Sequence, residues 1–84
     1  MAAAYQVVLH ADLVDILFQL QPRERRQVIR FFETLANRPG LPGDYVEMDS
    51  DGRENQVTVL GRWAVTYWAD HAVKEVRVVA LESA

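Results

Sequence analysis

The residues best equipped for chemistry crowd into Gly61 to Leu81, where Trp63, Trp68, Tyr67, Arg62, Arg77, an Asp70-His71 pair and the chain's single lysine, Lys74, fall together. Asp70-His71 sets a carboxylate beside the side chain that titrates nearest neutrality, the ingredients of a general base. Adjacent residues do not make an oriented dyad, however, and an aspartate in a turn ordinarily serves the local backbone, so the structural reading is taken here. His10 and His71 are the only imidazoles and cysteine is absent. A closed zinc site would then need carboxylates from several elements, and neither metal nor cofactor is expected. Glu47, Asp49, Asp51 and Gly52 imitate the opening of a calcium loop, but Thr58 stands where the bidentate glutamate belongs, which leaves an acidic hairpin tip. No phosphate loop or nucleophile motif is present. Arg23, Arg26 and Arg30 recur at i, i+3 and i+7, a spacing that lines up on a helix as a basic ridge able to meet phosphate or an acidic partner. With Glu24 and Glu33 interspersed, the plainer expectation is a solvated face.

These groups need a scaffold, and 84 residues supply one domain, 1–84, with a modest core. A chain of this size buries only about 60–65% of the surface its unfolded form exposes. Half the residues are apolar and a quarter charged, the balance of a folded globule. No apolar run approaches the ~20 residues that span a bilayer, and Met1-Ala2-Ala3-Ala4 lacks the basic start and apolar core of a signal peptide. A cytoplasmic protein without a membrane partner is the expectation. The net charge of −3 conceals a segregation: residues 21–38 carry Arg23, Arg25, Arg26, Arg30 and Arg38 against Glu24 and Glu33, whereas residues 44–54 carry Asp44, Glu47, Asp49, Asp51 and Glu54 against Arg53. An acidic chain is a poor ligand for nucleic acid unless its arginines converge on one patch.

Hydrophobic periodicity places the elements. Tyr5, Val7 and Leu9 alternate with Gln6, Val8 and His10, which predicts a strand over 4–10. Leu13, Ile16, Leu17 and Leu20 then follow helical spacing over 12–20, with the Asp12 carboxylate placed to satisfy the first free amides. Pro22 opens a second helix whose apolar set Val28, Ile29, Phe32, Leu35 and Ala36 runs until Asn37-Arg38-Pro39-Gly40. Beyond a linker at 39–43 the period becomes two, predicting strands over 44–49, 54–60, 63–69 and 73–81. Asp51-Gly52 offers the left-handed pair of a tight hairpin, Gly61-Arg62 a second turn or bulge, and Asp70-His71-Ala72 a third. The sum is an α+β domain, an N-terminal strand and helical hairpin followed by an antiparallel meander, with both helices on one sheet face.

Parity then divides the sheet. Placing Val46, Met48, Val57, Val59, Val65, Tyr67, Val76 and Val78 toward the helices sends Tyr45, Glu47, Gln56, Thr58, Thr66, Trp68 and Arg77 to the other face. An open face bearing Trp68 beside Arg77, with Thr66 and Tyr45 near, is a candidate binding surface, since aromatic and arginine residues dominate interface energetics. The alternative has Trp68 fold over an edge into the core.

The order strand, helical hairpin, meander, together with Leu35-Ala36-Asn37-Arg38-Pro39 before the linker and Arg62-Trp63-Ala64-Val65-Thr66-Tyr67 in the meander, resembles the RelE/ParE superfamily of toxins over roughly residues 4–82. The resemblance implies the toxic half of a type II toxin-antitoxin module, associated with plasmid stabilisation and growth inhibition and held inactive by an antitoxin protein. RelE-like members cleave messenger RNA on the ribosome; ParE-like members inhibit DNA gyrase. Arg53 matches an arginine often found at the start of the third strand, and Tyr67 falls on the recurring tyrosine of the fourth. The chain departs from the pattern at Trp63-Ala64, where many members have an aromatic-Arg pair, and Leu81-Glu82-Ser83-Ala84 lacks the basic or tyrosine-bearing tail of the nucleases. With nine basic residues against twelve acidic ones, the expectation is a toxin-like protein acting by protein binding, to an antitoxin and to gyrase. The alternatives left open are a ribosome-dependent endoribonuclease, with Arg53, Arg62, Tyr67, His71 and Arg77 as its candidate catalytic residues, and a non-toxic interaction module. A homodimer is left open beside these partners.

Overall fold

The computed structural model describes Ala4–Ala84; residues 1–3, read above as lacking a leader, lie outside the described residues. The elements are β1 (Gln6–Leu9), α1 (Ala11–Gln19), α2 (Pro22–Asn37), β2 (Tyr45–Met48), β3 (Glu54–Leu60), β4 (Trp63–Asp70) and β5 (Glu75–Ser83), in the order expected. No helix among the described residues is long and apolar enough to cross a membrane.

The two helices end by different means. His10 rather than Asp12 occupies the cap position of α1 and makes no side-chain cap bond. Asp12 sits in the first turn instead, where its charge meets the positive end of the helix dipole. At the other end Arg25 reaches back from α2, donating from Nε to the Leu17 carbonyl (3.1 Å) and from Nη2 to those of Phe18 and Leu20 (3.0 Å each). One guanidinium thus caps α1 and locks the helical hairpin. Helix α2 opens with Pro22 behind a reciprocal Gln21/Glu24 capping box, which satisfies amides that would otherwise lack partners. The inner stripe of the hairpin, Leu13, Leu20, Val28 and Leu35, packs on Val65, Tyr67, Val76, Val78 and Leu81. Each such aliphatic side chain gains about 1.5–3 kcal/mol by leaving water.

The sheet order is β1-β5-β4-β3-β2. The last four strands form the expected antiparallel meander, while β1 joins at the far edge, parallel to β5, with Gln6 opposite Glu75 and Leu9 opposite Val78. Parallel pairing needs no local turn, so the sequence carries no short-range sign of it. A bulge between Thr66 and Tyr67 pairs Thr66 with Ala80 and Tyr67 with Val78, and Val79 is left over.

Two expectations are corrected. Of the Asp51-Gly52 pair only Gly52 takes a positive φ (80°), so the tip is not the tight two-residue turn. Asp49 builds a wider loop, its Oδ1 accepting the amides of Asp51 and Arg53 (2.9 Å each). The second correction concerns the faces of β3. Leu60 pairs with Trp63 across Gly61-Arg62, which sets Val57 opposite Thr66 and Thr58 opposite Val65. Paired residues share a face, so Gln56 and Thr58 lie on the helix side and Val57 and Val59 on the open side, the reverse of the expected parity for this strand. The other strands keep their predicted faces.

The reversal serves the linker. Gln56 Oε1 accepts the Gly43 amide (2.8 Å), and the Tyr67 hydroxyl shares a bond with Thr58 Oγ1 (3.0 Å) and donates to the Leu41 carbonyl (3.2 Å). Gly43 lies so close to β3 that a Cβ there would stand 2.5 Å from the Val57 carbonyl oxygen, whereas one on Gly40 would meet nothing within 4 Å. Gly43→Ala is therefore expected to cost about 1–3 kcal/mol by forcing the linker off the strand, with Gly40→Ala near neutral. Urea titration of the two variants checks the contrast, and equal losses would place the constraint elsewhere.

Candidate functional site

No helix covers the open face among the described residues, yet Val57 is only 1% exposed and Thr66 7%. Their shielding falls to side chains of the same face, on which Tyr45 pairs with Val57 and Trp68 with Arg77. Trp68 is half-buried and stands outside the core cluster. It lies under Arg53, whose guanidinium carbon is 4.0 Å from the ring centroid, with that of Arg77 at 5.9 Å. Such contacts are worth about 0.5–1 kcal/mol at exposed sites.

The two arginines differ in availability. Arg77 donates to Glu75 Oε1 (2.9 Å) and stands 4.0 Å from Asp70 Oδ2, so its charge is largely offset. Arg53 has no ion-pair partner among the described residues. Its position comes from the backbone: its amide donates to Asp49, whose carboxyl is held below the usual range chiefly by that bond and also by the Asp51 amide and the Asn55 side chain. Grooves open on both sides of the Arg53-Trp68 stack. One, of about 460 Å³, is walled by Val8, His10, Arg77 and Val79; the other, of about 390 Å³, by Pro39, Pro42, Gln56, Tyr67 and His71. A flat aromatic surface with one uncompensated guanidinium and apolar walls suits a protein segment with an apolar anchor and a carboxylate.

Of the remaining candidates, Thr66 is almost wholly covered and Tyr45 is half exposed on the edge strand. Tyr67 faces the core against Phe31, its hydroxyl held by Thr58 and Leu41. Burial pushes its phenol above the usual range, with the Asp44 charge adding and the Thr58 bond opposing. Arg62 lies at the other end of β4, about 20 Å along the strand from Trp68. There it pairs with Glu24 (2.6 Å). His71 is exposed, its Nδ1 2.8 Å from the Tyr5 hydroxyl, which fixes the ring and leaves Nε2 free. Val8 and His10 of the first groove, and Tyr5 behind His71, escaped the sequence reading of this site because they arrive with β1 through its parallel pairing with β5, and Val79 because it is the residue left over at the β4-β5 bulge. No group of three or more metal-ligating side chains forms among the described residues.

Because the Asp49 carboxyl ionises below its unfolded value, its contribution to stability is complete above the unfolded pKa and is lost as pH falls through the folded one. Asp49→Ala is expected to lower stability at neutral pH and to flatten the acid limb of the stability curve. Urea midpoints measured from neutral to acid pH test this, and an unchanged acid limb would remove Asp49 from the positioning of Arg53.

The sequence matches no family profile and no curated protein. Solved structures do match. A chain of the archaeal RelE-RelB complex from Pyrococcus horikoshii is 20% identical, with a TM-score of 0.80 over 95% of this chain and 94% of that one. A chain of the toxin-antitoxin complex RelBE2 from Mycobacterium tuberculosis is 17% identical, with a TM-score of 0.73 over 96% and 99%. Helical hairpin, five-stranded mixed sheet and near-complete mutual coverage together show that this chain has the RelE-like toxin fold.

Proposed function

We propose that the protein is the toxin-like component of a type II toxin-antitoxin module and acts by protein binding, with the open sheet face around Trp68 as the surface an antitoxin takes. The observation that carries this reading is the Arg53-Trp68-Arg77 stack, set on a face that no helix among the described residues covers, in a fold shared with two such complexes. A half-buried aromatic flanked by guanidinium groups is the composition of an interface hot spot. DNA gyrase as the further target, and the growth inhibition and plasmid stabilisation that go with it, belong to the same proposal.

RelE-like cleavage is the competing reading, and the second groove favours it: His71, steadied by Tyr5, shares that groove with Arg53. An imidazole to move a proton and a guanidinium to hold phosphate are two of the parts such a reaction needs. Against it stand the distance of Arg62 from the groove and the commitment of the Tyr67 hydroxyl to Thr58 and the Leu41 carbonyl. Added to a translating extract, the protein is expected to leave messenger RNA intact, and codon-phased cuts that vanish in Arg53→Ala or His71→Ala would replace the binding reading with the nuclease.

The binding reading is tested with the product of a short antitoxin-like frame adjoining the gene. Trp68→Ala is expected to weaken the complex by about 2 kcal/mol or more in calorimetry while leaving most of the urea stability intact. Arg53→Ala should lose affinity that falls off with salt more steeply than for Arg77→Ala, because Arg77 is already paired. A loss of about 3–5 kcal/mol in folding stability on Trp68→Ala would assign the ring to packing and discard the surface.

A further inference from the structure

We propose that the outer side of α2 binds the phosphate backbone of duplex nucleic acid, independently of the open sheet face. Arg23, Arg26 and Arg30 line, with Gln27, a groove of about 380 Å³. The sequence offered Glu24 and Glu33 as counter-charges, which would make the ridge an ordinary solvated face. The structure withdraws the first. Glu24 turns to the β3-β4 turn, where both its oxygens accept from Arg62 (2.6 and 3.3 Å), and that pairing holds its carboxyl below the usual range. Glu33 does not line the groove. None of the three ridge arginines has an ion pair among the described residues.

The turn also extends the patch. A Cβ on Gly61 would stand 3.8 Å from Gln27 Oε1, which puts the turn against this stretch of α2 and brings the largely exposed Arg62 beside the ridge. Three guanidinium groups without an ion pair among the described residues thus lie beside one mutually offset Arg62-Glu24 pair, with Glu33 one turn beyond Arg30. The arginines converge as an acidic chain would need them to.

The lining identifies the occupant. Protein interfaces anchor on apolar and aromatic side chains, and this groove has neither, whereas phosphate contacts draw their affinity from charge alone. Proteins that hold single strands stack bases on aromatic rings, so the lack of a ring favours a duplex. Arg23 to Arg30 covers about 10 Å of helix axis, the length over which one strand of a duplex presents about three phosphates. Arginine's forked donors suit phosphate oxygens bidentately.

The test is fluorescence anisotropy with labelled DNA and RNA duplexes of one sequence, about 20 base pairs long, titrated at several salt concentrations. The wild type is expected to bind with a Kd of about 10⁻⁶–10⁻⁴ M, with log affinity falling against log salt at a slope of about −2 to −3. The Arg23→Ala, Arg26→Ala, Arg30→Ala triple variant should bind at least about tenfold more weakly with the slope nearly abolished. An Arg26→Gln, Arg30→Gln double variant should lie between, and Arg53→Ala should bind like the wild type. Circular dichroism confirms that each variant is folded. Duplex binding that survives in the folded double and triple variants, a loss confined to Arg53→Ala, or no binding by the wild type at low salt overturns the proposal. So does salt-sensitive self-association abolished by the ridge substitutions, which would give the ridge to the acidic 44–54 hairpin of a second copy. Antitoxin binding through Trp68 is untouched by any of these results.

Discussion

A strand has two faces, and in β3 the choice between them is made by the two residues Gly61 and Arg62. With Leu60 opposite Trp63, every side chain of β3 takes the face of its partner on β4, and one residue more or fewer in the turn would send each to the other side. The consequence runs through the molecule. Gln56 and Thr58 come to the helix side, where they hold the Pro/Gly linker through Gly43 and Tyr67, and Val57 goes to the open side, where a row of larger side chains must shelter it. The same turn carries Arg62 to Glu24 and so joins the end of the sheet to the start of α2.

Tyr67 and Trp68 show how closely the two sides are coupled. They are consecutive, so alternation sends one ring under the sheet and the other over it. Tyr67 anchors Leu41 from below while Trp68 supports Arg53 from above, and the second groove opens where the linker passes both. A shift of β4 that served one face would misplace the other. The bulge beside them, between Thr66 and Tyr67, absorbs the extra residue of β5 without disturbing the Trp68-Arg77 pair.

Elements were legible where a local period or a punctuating residue announced them: the stripe of Leu13, Ile16, Leu17 and Leu20, Pro22 at the head of α2, and the alternation through Val65, Tyr67, Val76 and Val78. The faces of β3 were not, because Gln56 to Val59 alternates polar and apolar residues while turning the polar ones to the helix side, and a pattern rule must choose the apolar set. Trp68 and Arg77 were legible as companions because both lie in one hairpin. Arg53 over the same ring was not, since it approaches from a different strand pair. Arg25 was counted as one charge among five, although its bonds to two α1 carbonyls and to that of the capping Leu20 make it a structural clamp, a role that depends on the angle between two helices and leaves no trace in spacing. The ridge on α2 was visible as spacing, and only the structure shows where its expected counter-charge has gone.

The pairing of β1 with β5 governs when the protein can come into being. Within this sheet the earliest strand in sequence must wait for the latest, and the central strand β4 and its neighbour β5 are made after both helices. Until they emerge, the helical hairpin has no sheet against which to bury Leu13, Leu20, Val28 and Leu35, and a hairpin so short is marginal alone. Non-local contacts of this kind incur the entropy of closing nearly the whole chain before returning any stabilisation, which slows folding. Synthesis of the chain and acquisition of its structure are therefore separate events, and for that interval the apolar stripe of the hairpin is open to whatever else is present.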